Sequence, residues 1–245
     1  MRTRVLAVVL LSLVPAACGG SSSSTPSSGT TTTAAPREQM TATAYFLRDG
    51  RVAPAHARVE RTNAVAHAAL EALFAGPPEG LASEIPKAVG SFDLAIHEGT
   101  AELSFATAGD LTAPARAQIV YTLTQFRTIE RVRIGDAPAA RRADYEDQTP
   151  IILVETPAPG DAVTSPIHVA GTANTFEATL QLRVVQDGKK LYEHFVTATS
   201  GSGQRGTFAW DIPVDAKGPA TLVAFEYSAK DGSEIHKVEI PITLE

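Results

Sequence analysis

Residues 117–126 read AQIVYTLTQF, ten positions without a charge between Arg116 and Arg127. Read as a helix, Ile119, Val120, Leu123 and Phe126 fall at i, i+1, i+4 and i+7 and form one buried stripe. The opposite face is then Gln118, Tyr121, Thr122 and Gln125, polar but uncharged. A solvated helix face usually carries Lys, Glu or Arg, so these four residues are expected to lie against something and form the candidate contact face. Two coverings are open: a partner or neighbouring copy, or the chain's own second domain or local structure. The β-branched residues Ile119, Val120, Thr122 and Thr124 leave a strand as the competing reading. The stripe, and Pro114 near the start, favour the helix.

On either side of this helix the pattern repeats. The segment TATAYFLRDGRVAPAHARVER holds two strand-like runs around Asp49-Gly50, a dipeptide suited to the positive φ values of a tight hairpin. Val65, Ala66, Ala69, Leu70, Leu73 and Phe74 then recur with helical spacing; Thr62 or Asn63 is the expected cap, and Gly76-Pro77 the stop. SFDLAIHEGTAELSF reads as a second hairpin around Glu98-Gly99. Thr112 and Pro114 open the second helix, and Ile129 to Ile134 read as a closing strand. The first domain, residues 40–135, is thus an α+β unit of order ββαββαβ, with both helices expected on one face of a sheet.

After DAPAARRADYEDQTP, read as a linker over 136–149, helical periodicity disappears. Seven strand-like runs follow: Ile151 to Val154, Ile167 to Ala170, Leu180 to Val185, Leu191 to Thr197, Phe208 to Ile212, Leu222 to Tyr227 and Ile235 to Leu244. Asp187-Gly188 and Asp231-Gly232 mark hairpin turns. Residues 150–245 are therefore expected to form an all-β, immunoglobulin-like sandwich. Trp210 shares a side with Phe208 and Ile212 and is expected to be its core aromatic.

The N-terminus reads MRTRVLAVVLLSLVPAAC. Arg2 and Arg4, an apolar run of about ten residues and Pro15-Ala16-Ala17 make residues 1–17 a secretory signal, too short to span a bilayer. Cys18 is the only cysteine, so no disulfide forms within the chain. Its position resembles the lipobox of bacterial lipoproteins, in which the thiol is acylated and becomes the mature N-terminus; Pro15 departs from the usual Leu. The other reading is a plain secreted protein with a thiol near its cleavage site. Over residues 18–39, the uncharged GGSSSSTPSSGTTTTAAP is expected to be a disordered Ser/Thr/Gly tether with a reach of roughly 20 to 25 Å. The expected location is the extracytoplasmic face of the membrane, lipid-anchored.

ALFAGPPEGLASEIP, TAELSF and AQIVYTLTQFRTIERVRI together resemble the GerMN domain, the sporulation and germination module of bacterial envelope lipoproteins. ETPAPGDAVTSPIHVAGTANTFEATLQLRV and AFEYSAKDGSEIHKVEIPITL resemble the immunoglobulin-like domain of bacterial spore germination. The first resemblance implies a fold similar to ring-building motifs and a role in protein contact, with no catalytic residue to carry over. The second implies a sandwich that contacts other envelope components.

The remaining chemistry is weak. The chain's 245 residues carry a formal charge of −6, and removing Arg2 and Arg4 makes it more negative. Arg141-Arg142 and scattered Lys fall short of a nucleic-acid footprint. Gly201 to Gly206 spell G-x-G-x-x-G, but a strand follows where a dinucleotide site needs a helix. His67 and Glu71 lie four apart without a third metal ligand. Asp93, Glu98, Glu102 and Asp110 offer carboxylates for glycan cleavage with no distinguishing spacing. No cofactor and no catalytic residue are assigned. The expected function is a non-catalytic interaction or scaffold module that meets the membrane through its lipid and contacts envelope proteins or a neighbouring copy. Peptidoglycan binding or remodelling is the alternative. A small-solute binding protein is disfavoured by 6% aromatic residues and one Trp.

Overall fold

The computed structural model describes residues 38–87, 90–106 and 110–245. The signal segment, Cys18 and almost all of the tether lie outside the described residues. The first strands, β1 (Gln39–Arg48) and β2 (Arg51–Glu60), pair antiparallel around Asp49-Gly50, whose φ values of +51° and +75° are those of a two-residue hairpin turn. Helix α1 (Val65–Ala75) follows and stops at Gly76, where φ is +107°. The cap differs from expectation. Ala64 occupies that position, and the Thr62 hydroxyl accepts from its N–H at 3.0 Å, bracing the approach to the helix instead of its first turn.

Strands β3 (Phe92–His97) and β4 (Thr100–Phe105) turn at Glu98-Gly99, again with positive φ at both residues. Helix α2 (Ala113–Leu123) opens with the Thr112 hydroxyl accepting from Ala115 N–H at 3.2 Å and Pro114 in its first turn. The helix ends at Leu123, so the last three residues of AQIVYTLTQF form a turn. Strand β5 (Arg131–Ile134) closes the unit parallel to β4. The order ββαββαβ is the expected one. The strands, however, form two ladders, β1–β2 and β3–β4–β5. The two helices pack on each other and on β1, and Phe46, Leu70, Leu73, Leu103, Ile119, Val120, Leu123 and Val132 share one core.

The second half contains β6 (Ile152–Thr156), β7 (Ala162–Val163), β8 (Ile167–Ala173), β9 (Thr179–Gln186), β10 (Lys189–Thr197), β11 (Gly206–Ile212), β12 (Gly218–Tyr227) and β13 (Glu234–Leu244). They form a five-stranded sheet, β10-β9-β12-β13-β7, and a three-stranded sheet, β11-β8-β6. Between these sheets lie Ile152, Val154, Val169, Leu180, Leu182, Phe208, Leu222 and Ile240, the core of the expected sandwich. Strand β7 has only two residues and no sequence signature.

Trp210 corrects the sequence reading. It shares its side of β11 with Phe208 and Ile212, yet it is 37% exposed where they are 4% and 0%. Strand β11 is the last of its sheet and β10 the last of the other, so this position is at the rim of the sandwich. The indole stacks on His194 with centroids 4.9 Å apart, and its Nε1 donates to the Tyr192 hydroxyl at 2.7 Å. The buried aromatic of that strand is Phe208.

The segment 136–149 is also not a free linker. Ala140 bridges to Val132, and Arg142–Gln148 forms a strap of 3-10 turns with a kink at Tyr145. Residues 37–245 consequently make one compact unit. Where β8 pairs with β6, a Cβ added at Gly171 would lie 2.0 Å from Leu153 O. Gly171→Ala is expected to lower stability by at least the ~1–3 kcal/mol typical of an overpacked core, read as a fall in the chemical-denaturation midpoint.

Candidate contact surfaces and the junction between the halves

The four residues of the candidate contact face are occupied within the chain. Gln118, Tyr121 and Thr122 are at most 1% exposed, and Gln125 is half-buried. This corrects the reading of Gln118, Tyr121, Thr122 and Gln125 as an available contact face. Of the two coverings left open, the chain's own structure is the one found, with β1 over Gln118, Thr122 and Gln125 and Thr149 and Leu153 over Tyr121.

What covers the face also explains why it is polar. The two-residue turn sets the hydrogen-bond alternation of β1, so that Thr43, Tyr45 and Leu47 direct their backbone groups away from β2. An edge left this way would bury unpaired amides and carbonyls, so each needs a partner. Helix α2 and the turn that follows it supply most of them at helical spacing. Gln118 Nε2 donates to Tyr45 O at 3.3 Å, Tyr45 N–H donates to Thr122 Oγ1 at 2.9 Å, and Gln125 Nε2 donates to Thr43 O at 2.8 Å. At the end of the row, Leu47 and Ala82 exchange both backbone bonds at 2.8 Å. The Gln118 carbonyl is itself used, accepting from Glu84 N–H at 3.0 Å. Side chains of α2 and the Ala82 segment thus stand where another strand would, and β1 has no edge left to join β3–β5.

Tyr121 has a different task. Its hydroxyl meets Thr149 Oγ1 at 2.7 Å, and its ring lies 5.4 Å from that of Tyr45. Both rings face the guanidinium of Arg142, at 4.6 Å for Tyr121 and 5.3 Å for Tyr45, close enough for cation–π attraction. Arg142 also donates to Thr124 Oγ1 at 2.9 Å, Tyr121 O at 3.2 Å and Glu155 Oε1 at 2.7 Å. The Tyr45 hydroxyl donates to the same Glu155 oxygen. Burial, with Glu155 beside it, holds the Tyr45 phenol well above its ordinary pKa, and burial raises Tyr121 as well, so both stay neutral donors. For Arg142, burial acts to lower the pKa, and the neighbouring Tyr45 and Glu155 more than reverse it.

The strap is held on the other side by Arg205. It grips Glu146 through Nε and Nη2, at 2.9 and 2.8 Å, and donates to Pro150 O at 2.8 Å. Asn174 adds a bond to Glu146 at 3.0 Å. Beneath the strap, β6 serves both halves. Ile152 and Val154 enter the sandwich core, while Leu153 packs with Tyr45, Leu47, Val52, Ala117 and Tyr121. Sequence reasoning missed Arg142, Glu146, Glu155 and Arg205. The available signal was the unbroken run Ile151 to Val154, which marks a strand buried on both faces.

The other sequence candidates remain apart. His67 and Glu71 form an exposed pair at 3.5 Å, and His67 stacks on Phe92 at 4.5 Å. No three His, Cys, Asp or Glu side chains converge on a metal-sized site among the described residues. Glu102 faces Arg133 at 3.7 Å across β4 and β5. The G-x-G-x-x-G stretch is the loop entering β11; added Cβ atoms at Gly201 and Gly206 would strike backbone at 2.5 and 2.2 Å, so close packing accounts for those two glycines. A cleft of about 720 Å³ opens beside the junction, lined by Arg48, Arg51, Val52, Val154, His236 and Val238 among others. At the far rim, Trp210 adjoins the exposed pair His168 and Asp211, 2.8 Å apart.

These features define a two-part protein: an α+β unit welded through a strap to an immunoglobulin-like sandwich. Residues 43–135 match the family described as sporulation and spore germination, and residues 151–233 match the immunoglobulin-like domain of bacterial spore germination. The chain therefore carries a GerMN domain followed by the immunoglobulin-like domain of spore germination proteins, both known as domains of that system and not as enzyme families. Among solved structures it is similar to the tandem GerMN domains of the sporulation protein GerM from Bacillus subtilis, at 18% identity and a TM-score of 0.37, over 72% of this chain and 61% of that one. It is also similar to CopC from Methylosinus trichosporium OB3b, at 19% identity and a TM-score of 0.27, and to fibronectin(III)-like modules of CbhA from Clostridium thermocellum, at 14% and 0.25. Each of these two matches covers 38% of this chain and 93% of the other. No curated protein matches the chain.

Two outcomes follow from this geometry. Thr122→Val keeps the side-chain shape but strands the buried Tyr45 N–H, so it is expected to destabilise by about 1–3 kcal/mol in chemical denaturation, with Thr122→Ser well below that. Arg205 hydrogen bonds lower the Glu146 pKa from its ordinary 4.5. Its stabilising contribution is fully present above that value and is lost as pH falls through the lowered one. Stability should therefore decline on acidification below pH 4.5, less steeply in Glu146→Gln. Glu193 and Glu234, lowered by Arg183, leave both proteins a common residual slope.

Proposed function

We propose that the protein is a lipid-anchored, extracytoplasmic contact module that presents a rigid two-domain body to other components of the cell envelope, without catalysis. The observation that carries this reading is the junction: Arg142 and Arg205 hold the strap to both halves, and Leu153 packs in a shared core. A body of this kind keeps surfaces on the two domains at fixed mutual orientation, which suits a scaffold. The signal-like N-terminus, Cys18 and the tether support anchoring at the outer face of the membrane. Membership of two germination-type families supports a role in assembly.

A second reading, contact with peptidoglycan, is favoured by the rim of the sandwich. Trp210 is an exposed indole braced by His194 and Tyr192, and next to it His168 and Asp211 offer polar groups at the surface. A braced aromatic ring flanked by hydrogen-bonding side chains suits the apolar face and hydroxyls of a sugar. Fractionation of intact cells tests the anchor: wild type should stay in the membrane pellet, and Cys18→Ser should appear in the soluble fraction. Retention of Cys18→Ser in the pellet would contradict the lipid. Crosslinking in intact envelopes, run beside sedimentation with purified wall, separates the two readings. Protein adducts without wall binding support the scaffold; wall binding lost in Trp210→Ala supports the glycan contact.

A further inference from the structure

We infer that strand β3 is a homotypic docking edge, through which two copies of the chain join their three-stranded sheets into one continuous sheet. The inference rests on the reading of the protein as one that works by contact, and it concerns association between copies, which is measured separately from binding to other envelope components.

Exposed strand edges are templates for pairing, and proteins blunt them with Lys, Pro, bulges, short strands or covers. Most of the other edges show such devices; β11 also lacks Lys, Pro and a register shift, but Thr199 exchanges two bonds with its Thr207, and β6 carries a register shift. Strand β1 is capped by α2, β2 carries Pro54, β7 has two residues, β5 is bridged by Ala140, and β10 has Lys189, Lys190 and a register shift. Strand β3, reading FDLAIH, has no Lys, no Pro and an unbroken register with β4. Ile96 is 42% exposed, one of few large apolar side chains so placed.

The alternation of β3 fixes how a second copy can fit. His97 and Thr100 flank the two-residue turn and are a hydrogen-bonded pair, and at the other end Ala106 N–H donates to Ser91 O at 3.0 Å. Odd-numbered residues therefore bond to β4. Leu94 and Ile96 direct their N–H and C=O groups to the open side, where no described residue meets them. An antiparallel copy must set these outward residues opposite each other, so only alternate registers are available.

The register centred on Ala95 sets Leu94 opposite Ile96 of the second copy, each pair exchanging two backbone bonds. On that face the two apolar side chains extend a shallow groove lined by Val65, Ala66, Phe126 and Ile129. On the other face it sets Asp93 opposite His97 of the second copy. Both are exposed, and neither has a side-chain partner among the described residues. A carboxylate facing an imidazole is complementary whether the ring is neutral and donates one N–H or is charged. Shifting the register by two residues loses this match on both sides. The strand is thus self-complementary in backbone, apolar face and charge at one register.

Sedimentation velocity of the detergent-solubilised full chain over a concentration series tests this, with circular dichroism as the control for folding. Wild type should show a reversible monomer–dimer equilibrium. Asp93→Lys, which sets a cation against His97 twice in each dimer, should weaken association about tenfold. The double variant Asp93→Lys with His97→Glu should restore it. A wild-type chain that is monomeric at every concentration overturns the inference, as does a dimer indifferent to Asp93→Lys or a loss that the double variant does not rescue.

Discussion

The row of side chains that α2 and the turn after it lay along β1 is the interaction on which the rest of the structure depends. A buried strand edge demands donors and acceptors, and ionised side chains are expensive to bury unless they are paired. Amides and a hydroxyl meet the demand without charge. Gln118, Thr122 and Gln125, spaced at i, i+4 and i+7, supply bonds to Tyr45 and Thr43. Those bonds fix the helix in rotation and along its axis. The apolar stripe on its other side then meets Leu70, Leu73 and Val132 in the main core of the first half.

From that placement the junction follows. Tyr121 sits between the capping residues, so the bonds that hold α2 also aim its hydroxyl at Thr149 and its carbonyl at Arg142. Tyr45, at the centre of the capped edge, turns its ring and hydroxyl toward the same arginine and Glu155. Strand β6 carries Glu155 and Leu153 on one face and feeds the sandwich with Ile152 and Val154 on the other. A local solution to an unpaired strand thereby becomes the joint between two domains. The surfaces proposed for contact, the β3 edge and the rim around Trp210, lie away from it.

Much of this fold was legible from local chemistry. Asp49-Gly50, Glu98-Gly99 and Asp187-Gly188 all turn with the positive φ values those pairs favour, and Thr112 with Pro114 opens α2. The seven longer sandwich strands fall on the runs that alternation and turn residues mark. What failed depended on distance along the chain or position within the assembled sheets. The partners of Gln118 and Gln125 on β1 lie 73 and 82 residues away. Periodicity assigned Trp210 to the inward side of β11 but could not show that β11 is a border strand. Arg142 and Glu146 stand in a charged, Ala- and Pro-rich segment, a composition that reads as solvated linker. Their ion-pair partners, Glu155 and Arg205, lie 13 and 59 residues further along the chain.

Native-state hydrogen exchange at the Tyr45 amide tests the central claim most directly. If the Thr122 hydroxyl is the strand partner of that N–H, Tyr45 exchanges as slowly as its β2-bonded neighbours Ala44 and Phe46. Replacing Thr122 with Val then accelerates Tyr45 exchange selectively, leaving Leu47, which is bonded to Ala82, less affected. A Tyr45 amide that exchanges as freely as an open edge in the wild-type protein, or one indifferent to the loss of the hydroxyl, would contradict the account.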